Sequence, residues 1–328
     1  MTILRYFLIG LVLVFVMGGV ATALIAWRIE TRYPPNGRFV DVAGGRLHYV
    51  EAGPTSGVPL GTVVLLHGAS SNSADSMASF GRRLAERYRV IAFDRPGHGW
   101  SDRIAGADAA RPQRQAALIA EAMRKLQTGK AIVAGHSWGG SVVPNFALDH
   151  PDVTGALMLL SAVTHPWPGG RITWYYHPAT SLIGWLFTRT LTTPLGSLLV
   201  GPSVAGVFAP QSPPQDYAEL ARIRLVLRPP VFHANAQDVA GLHDAVTEQS
   251  PRYGAIRVPA TAIGGDADTI VWTDLHSRSF AREVAGTKLV VLPGVGHMPH
   301  YSHADLIIAE IDALAARMAT PAAEARAP

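Results

Sequence analysis

Three residues in this chain stand where their side chains could carry out nucleophilic chemistry. Ser137 lies in Gly135-His136-Ser137-Trp138-Gly139, after an apolar run Lys130–Ala134 and before a helical pattern from Trp138 to His150. The glycines leave room for a sharp strand-to-helix turn that lifts a serine hydroxyl above the sheet, as in a nucleophile elbow. The bare pattern is weak evidence, and its strand–turn–helix context makes it specific. A serine hydroxyl is a poor nucleophile that needs a base, and the base needs an orienting carboxylate. Both are expected at the carboxyl ends of later strands. The run Ala260–Ile263 ends in Gly264-Gly265-Asp266-Ala267-Asp268, and Lys288–Leu292 ends in Pro293-Gly294-Val295-Gly296-His297. His297 is expected to take the serine proton and donate it to the leaving group. Asp268 would hold the imidazole in the right tautomer, with Asp266 as the alternative acid if it does not simply cap the loop.

Two backbone N–H groups must face the negative charge that develops during acyl transfer. One is expected from Trp138, next to the nucleophile, and the other from Ala69 in His67-Gly68-Ala69-Ser70, which follows the apolar run Thr62–Leu66. His67 and His98 read as structural hydrogen-bonding groups. His297, His300 and His303 recur every three residues and invite a zinc-site reading. Pro299 and the Gly-rich loop argue against one helix face presenting all three, so neither metal nor cofactor is expected.

Strands alternating with helices must position these groups. Two β-rich runs, Arg38–Ala43 and Arg46–Glu51, flank Gly44-Gly45, a hairpin signal. Then follow Thr62–Leu66 as a buried strand, Ser73–Tyr88 as helix and Arg89–Phe93 as strand. Asp108–Gln127 reads as helix with an early turn at Pro112, Thr154–Ser161 as strand and Ala304–Met318 as a closing helix. This order implies right-handed crossovers and an α/β, doubly wound, mostly parallel sheet with an antiparallel opening hairpin. The alternation breaks between about Thr164 and Gln249, a stretch read as a helical insertion. The organisation expected is an anchor at 1–32, a first core part at 38–163, a lid at 164–249, a second core part at 250–319 and a disordered tail at 320–328.

The composition is short of charge. Charged residues are 16% of 328 and hydrophobic ones 48%, against about 25% charged in a typical soluble domain. Disorder is excluded, because disordered chains combine low hydrophobicity with high charge. With no cysteine, disulfides, thiolate metal sites and a Cys nucleophile are impossible. The pI near 9.5 comes from dispersed arginines rather than a basic footprint, so no nucleic-acid partner is expected.

The shortage of charge has a local cause in the uncharged run of 22 residues from Tyr6 to Trp27. As a helix it would be about 33 Å long, enough to cross a hydrocarbon core of about 30 Å. Ala21-Thr22-Ala23 resembles a signal-peptide cleavage site. The apolar run continues past it to Trp27, which favours an uncleaved single-pass anchor with the following domain periplasmic or extracellular. Arg28, Arg32 and Arg38 flank the outer end in that orientation, against the usual positive-inside bias.

Taken together, the residues resemble the α/β-hydrolase superfamily across roughly Arg38 to Met318. The likeness rests on His67-Gly68, Asp94-Arg95-Pro96-Gly97-His98-Gly99-Trp100-Ser101-Asp102, Gly135-His136-Ser137-Trp138-Gly139, Gly265-x-x-Asp268 and Gly296-His297-Met298-Pro299. The chain order Ser137, Asp268, His297 matches the family's triad. The resemblance implies an eight-stranded sheet with its second strand antiparallel and a helical lid between the sixth and seventh strands. Haloalkane dehalogenases and epoxide hydrolases of this superfamily carry Asp at the elbow, where this chain has Ser137. Acyl transfer is therefore expected rather than alkyl-enzyme chemistry: cleavage of an ester or related acyl bond, with carbon–carbon bond hydrolysis or perhydrolysis as alternatives using the same triad. A catalytically idle fold acting as a binding protein is the rival outside enzymology.

The insertion adds a hint about substrate. His165–Phe187 holds Trp167, Trp174, Tyr175, Tyr176, Trp185 and Phe187. These either pack the lid onto the sheet or line an apolar acyl pocket near the bilayer. The second case predicts a small-molecule, hydrophobic, ester-type substrate. Leu182–Phe208 is strongly apolar too, but its prolines and Arg189 argue against a second membrane span.

Overall fold

A computed structural model describes residues 1–170, 176 and 178–319. Trp174, Tyr175 and the tail 320–328 lie outside the described residues. The chain begins with α1 (Thr2–Arg32), then β1 (Arg38–Val42), β2 (Gly45–Ala52) and β3 (Thr62–Leu66). After β3 come α2 (Ser73–Ser76), a π-helical turn over Met77–Gly81, and α3 (Arg82–Leu84). The helix expected over Ser73–Tyr88 thus runs over Ser73–Leu84 without a gap, with a π-helical turn in its middle, and stops four residues early. At Gly81 a Cβ would sit 2.8 Å from the Ser76 carbonyl oxygen and 3.1 Å from Leu65, so the widened turn uses a backbone approach that only glycine permits.

Next are β4 (Arg89–Phe93), α4 (Pro112–Lys125), β5 (Ala131–His136), α5 (Ser137–Asp149) and β6 (Thr154–Leu160). Helix α4 starts at Pro112, where proline's missing N–H costs nothing. The insertion follows: α6 (Leu182–Thr190), α7 (Thr192–Phe208), the short α8 (Tyr217–Leu220) and the long α9 (Pro229–Gln249). The chain closes with β7 (Ala260–Gly265), α10 (Ser277–Glu283), β8 (Lys288–Leu292), α11 (Pro299–Ser302) and α12 (Ala304–Ala319). The short α10 has no counterpart in the expected pattern.

The eight strands form one sheet in the order β1-β2-β4-β3-β5-β6-β7-β8. Strand β2 is antiparallel to both β1 and β4, and every other pairing is parallel. Successive side chains of a strand point to opposite faces, and the core divides accordingly. Val64, Leu66 and Val133 join the cluster under α4, α5 and α9, while Val63, Leu65, Ile132 and Ala134 join the one under α12. Burial on both faces explains why these strands read as unbroken apolar runs.

Candidate active site

Strand β5 runs two residues further than its apolar run suggested, through Gly135 and His136, and α5 begins at Ser137 itself. No loop intervenes, so one residue makes the whole turn. Ser137 has φ = 52°, the left-handed region that a non-glycine residue adopts at some cost. The motif's glycines act through close approach. A Cβ on Gly135 would lie 2.5 Å from the Gly139 carbonyl oxygen, and one on Gly139 would lie 2.3 Å from that of His67. The elbow is thereby pressed onto the loop after β3.

The later strand ends converge on the serine. His297 Nε2 lies 2.9 Å from Ser137 Oγ, and His297 Nδ1 lies 2.8 Å from Asp268 Oδ2. The other Asp268 oxygen accepts the Ile270 and Val271 amides at 2.8 and 2.9 Å. Burial pushes the Asp268 carboxyl up, but the His297 hydrogen bond and charge, with those two amides, hold it below its ordinary value. Asp266 is turned away and accepts the Gly294 amide at 2.6 Å, the loop-capping role.

The amide of Trp138 stands in the first turn of α5, where no preceding helical carbonyl can accept it. Ala69 is half-buried in the loop that passes beside the nucleophile: a Cβ on neighbouring Gly68 would be 3.2 Å from Ser137 Cβ. The residues expected to supply nucleophile, base, acid and oxyanion donors are therefore gathered at one end of the sheet.

The three histidines tested as a zinc set diverge. His300 lies tilted against His136 with ring centroids 4.3 Å apart, whereas the half-buried His303 bonds Ser302 Oγ. His136 donates through Nε2 to the His297 carbonyl at 2.9 Å, steadying the loop that carries the base. Burial, then the neighbouring His300 and His297, keep His136 well below the usual imidazole value. Burial and His297 hold His300 at about 3.

Arg95 is the site residue that the sequence reading passed over. Its guanidinium is fully buried and 4.1 Å from the Trp138 ring centroid. It donates to the carbonyls of His67 (2.9 Å) and Gly68 (3.2 Å), to Gln115 (2.9 Å) and to Asp238 (2.7 Å). His67 completes the brace, giving its Nδ1 proton to the Gly68 carbonyl and accepting the Arg95 amide at Nε2. Burial lowers the Arg95 guanidinium to about 10, the Asp238 charge opposing that shift. His98 also lies in this cluster, 3.3 Å from Arg95. Both histidines are structural, as expected.

Asp238 comes from α9, inside the insertion. Its backbone carbonyl accepts Trp138 Nε1 at 2.9 Å. Asn235, one turn earlier, accepts the Ser70 amide at 2.6 Å. The available signal was an isolated pair, one arginine in a Gly/Pro-rich loop and one aspartate on an apolar helix face. Nothing in one sequence says that these two meet.

The sequence model of the Alpha/beta hydrolase family matches residues 63–310. The chain is 28% identical over 268 residues to 2-hydroxy-6-oxo-6-phenylhexa-2,4-dienoate hydrolase of Burkholderia cepacia, covering 79% of this chain and 87% of that one. The enol-lactonase of Burkholderia xenovorans LB400 superimposes with TM-score 0.65 at 22% identity, covering 84% of this chain and 99% of its own. An esterase of Exiguobacterium antarcticum does so with TM-score 0.68 at 21% identity, over 85% and 99%. With its sheet order, its insertion after β6 and a family match that runs from β3 into α12, this chain belongs to the alpha/beta hydrolase family.

Proposed function

We propose that this chain is a membrane-anchored serine hydrolase that cleaves an apolar ester or lactone through an acyl-enzyme. The observation that carries the reading is the pair of hydrogen bonds, 2.9 and 2.8 Å, that links Ser137 to His297 and His297 to Asp268. Ser137 Oγ attacks the carbonyl carbon as its proton passes to His297 Nε2. The negative charge on the carbonyl oxygen is met by the amides of Trp138 and Ala69, already oriented before the reaction. The C–O bond then breaks as His297 hands that proton to the leaving alkoxide. A water molecule, deprotonated by His297, hydrolyses the acyl-enzyme and regenerates Ser137. Asp268 keeps His297 in the tautomer with hydrogen on Nδ1 and stabilises the imidazolium.

Charge favours an uncharged substrate. The buried guanidinium beside the oxyanion loop is that of Arg95, and its donors are taken by His67, Gly68, Gln115 and Asp238. A substrate carboxylate would find no partner there. The long apolar α1 supports anchoring in a bilayer, with one leaflet next to the domain.

Ser137→Ala should abolish labelling by a fluorophosphonate probe and lower kcat on p-nitrophenyl octanoate by at least about 10⁴-fold. Persistent labelling of that variant would refute Ser137 as nucleophile. A clear preference for acetyl over octanoyl esters would refute the apolar substrate. Carbon–carbon bond hydrolysis is the second reading, favoured by the relative named for a 2-hydroxy-6-oxo-dienoate. Faster turnover of such a dienoate than of any ester would replace the first reading with the second.

A further inference from the structure

Helix α1 is exposed along its first half and then docks on the insertion. Phe15 meets Phe187 of α6 edge-on at 5.5 Å between centroids. A Cβ on Gly18 would lie 2.8 Å from the Thr190 carbonyl oxygen, so α1 and the end of α6 touch backbone to backbone. Further along, Ile25, Ile29 and Tyr33 pack with Val200 of α7 and with Leu225 and Leu227. Three polar ties finish the joint, Arg228 to Glu30 at 2.9 Å, Tyr33 to Glu219 at 2.8 Å and Arg32 to Glu219 at 3.2 Å.

The corner between α6 and α7 is built for surroundings without water. The two helices meet at a 72° bend. Pro194 accounts for it, because proline lacks the N–H that would reach back four residues to Thr190, and its ring pushes against that carbonyl. The freed Thr190 carbonyl accepts the Thr22 hydroxyl of α1 at 2.7 Å instead. Thr188, Thr190 and Ser197 likewise turn their hydroxyls onto carbonyls of their own helices. Satisfying a proline break from a neighbouring helix's threonine, with hydroxyls folded inward, is how backbone is tolerated inside a bilayer. In water such a carbonyl would find its own partner.

The outer surface matches. Leu182, Ile183, Trp185, Leu195, Leu198 and Leu199 are all exposed, Leu198 by 76% and Leu182 by 85%. Arg189 is the one charged residue from Leu182 to Phe208, and it folds back over the Trp185 ring at 4.1 Å. Only Thr193 and Phe208 of α7 are buried, although the helix is apolar on every side, a pattern that belongs to a membrane rather than a solvated surface.

We propose that α6 and α7 form a re-entrant hairpin that enters the same leaflet as the domain end of α1, with lipid acyl chains covering its apolar faces. Phe15 lies about 18 Å of helix below Trp27, so the Phe187 contact falls near the middle of the bilayer. The insertion is then a part of the membrane anchor, and an apolar substrate meets the hydrolase from within the lipid. The inference rests on the reading of α1 as a bilayer helix.

Because the chain has no cysteine, single-cysteine variants of the full-length protein report cleanly. Each of Leu195→Cys, Ile183→Cys, Val12→Cys on α1 and Val58→Cys on the β2–β3 loop replaces an exposed side chain. Each is labelled with nitrobenzoxadiazole and reconstituted in phosphatidylcholine vesicles with or without doxyl-labelled acyl chains. Blue-shifted emission at positions 195 and 183, quenched at least half as strongly as at 12, with an aqueous signal at 58, is the expected result. Lipid quenching at 12 with an aqueous signal at 195 and 183 overturns the hairpin and leaves the anchor intact. Aqueous signals at all four positions overturn the anchor reading itself. A dry but unquenched signal at 195 that disappears on dilution into excess vesicles assigns the surface to a second copy of the chain, and overturns the proposal.

Discussion

Two halves of one insertion are opposites. Helix α9 buries polar side chains: Asn235, Asp238 and Gln249 are each fully enclosed and partnered, Gln249 by Asn145, Ser141 and Tyr253. Helices α6 and α7 are far more apolar yet leave most of their surface uncovered by protein. The difference teaches that apolarity alone does not say which helix belongs to the core. Buried polar groups are stable when their donors and acceptors are met: Asn235 and Asp238 meet theirs with Ser70 and with Arg95, Arg103 and Gln115, and Gln249 with α5 and Tyr253. Uncovered apolar faces are stable when the surrounding medium is itself apolar. A division into core and lid at residue 164 therefore hides a second division, between a helix that is the floor of the site and a pair that faces outward.

The largest effect should come from breaking the floor. Asp238→Ala leaves the Arg95 guanidinium buried without its carboxylate, which should cost about 3–5 kcal/mol in chemical denaturation. Ester turnover should fall with it, since Trp138, His67 and Gly68 lose their common brace. Stability and turnover equal to wild type would mean that α9 merely covers the site.

Acid should sharpen the contrast next. Burial, then the charge of Arg95, depresses both His67 and His98 well below the ordinary imidazole value. A histidine whose folded value is depressed binds fewer protons folded than unfolded, so its contribution to stability is lost as pH falls below about 6.5. The slope should approach about 1.4 kcal/mol per pH unit for each such histidine. Hydrogen exchange at pH 7 and pH 5 should show α9 losing protection while α6 and α7, in vesicles, do not. Equal loss in both would erase the distinction.

The smallest effect belongs to the outer face. Leu195→Ser removes an apolar side chain that is 58% exposed, so it should change unfolding in detergent by less than about 0.5 kcal/mol. A loss of about 2 kcal/mol or more, the size seen when a core leucine is truncated, would mean that position 195 is packed against protein.

Much of this was legible before any coordinates. Strand runs Thr62–Leu66, Arg89–Phe93 and Lys288–Leu292 appear with the expected bounds. The first two are buried on both faces of the sheet and so advertise themselves as apolar runs, while the half-buried edge strand Lys288–Leu292 is marked by its β-branched and apolar residues. Ser137, Asp268 and His297 could be found because each ends such a run, and strand ends are where a parallel sheet assembles its chemistry. The π turn within Ser73–Tyr88 and the short α10 were not legible. Both depend on what the segment packs against rather than on its periodicity.

The sequence by itself determined the alternation of strands and helices, the elbow serine with its downstream Asp and His, and a long uncharged N-terminal helix. These are local properties, set by side-chain type at short range. Only the tertiary structure decided that Ser137 alone makes the turn, that Arg95 and Asp238 meet beneath the loop His67–Ser70, and that Thr22 satisfies the carbonyl orphaned by Pro194. Those contacts join residues 143 and 168 positions apart. Their partners are chosen by how the layers close on one another, and no short-range pattern encodes that choice.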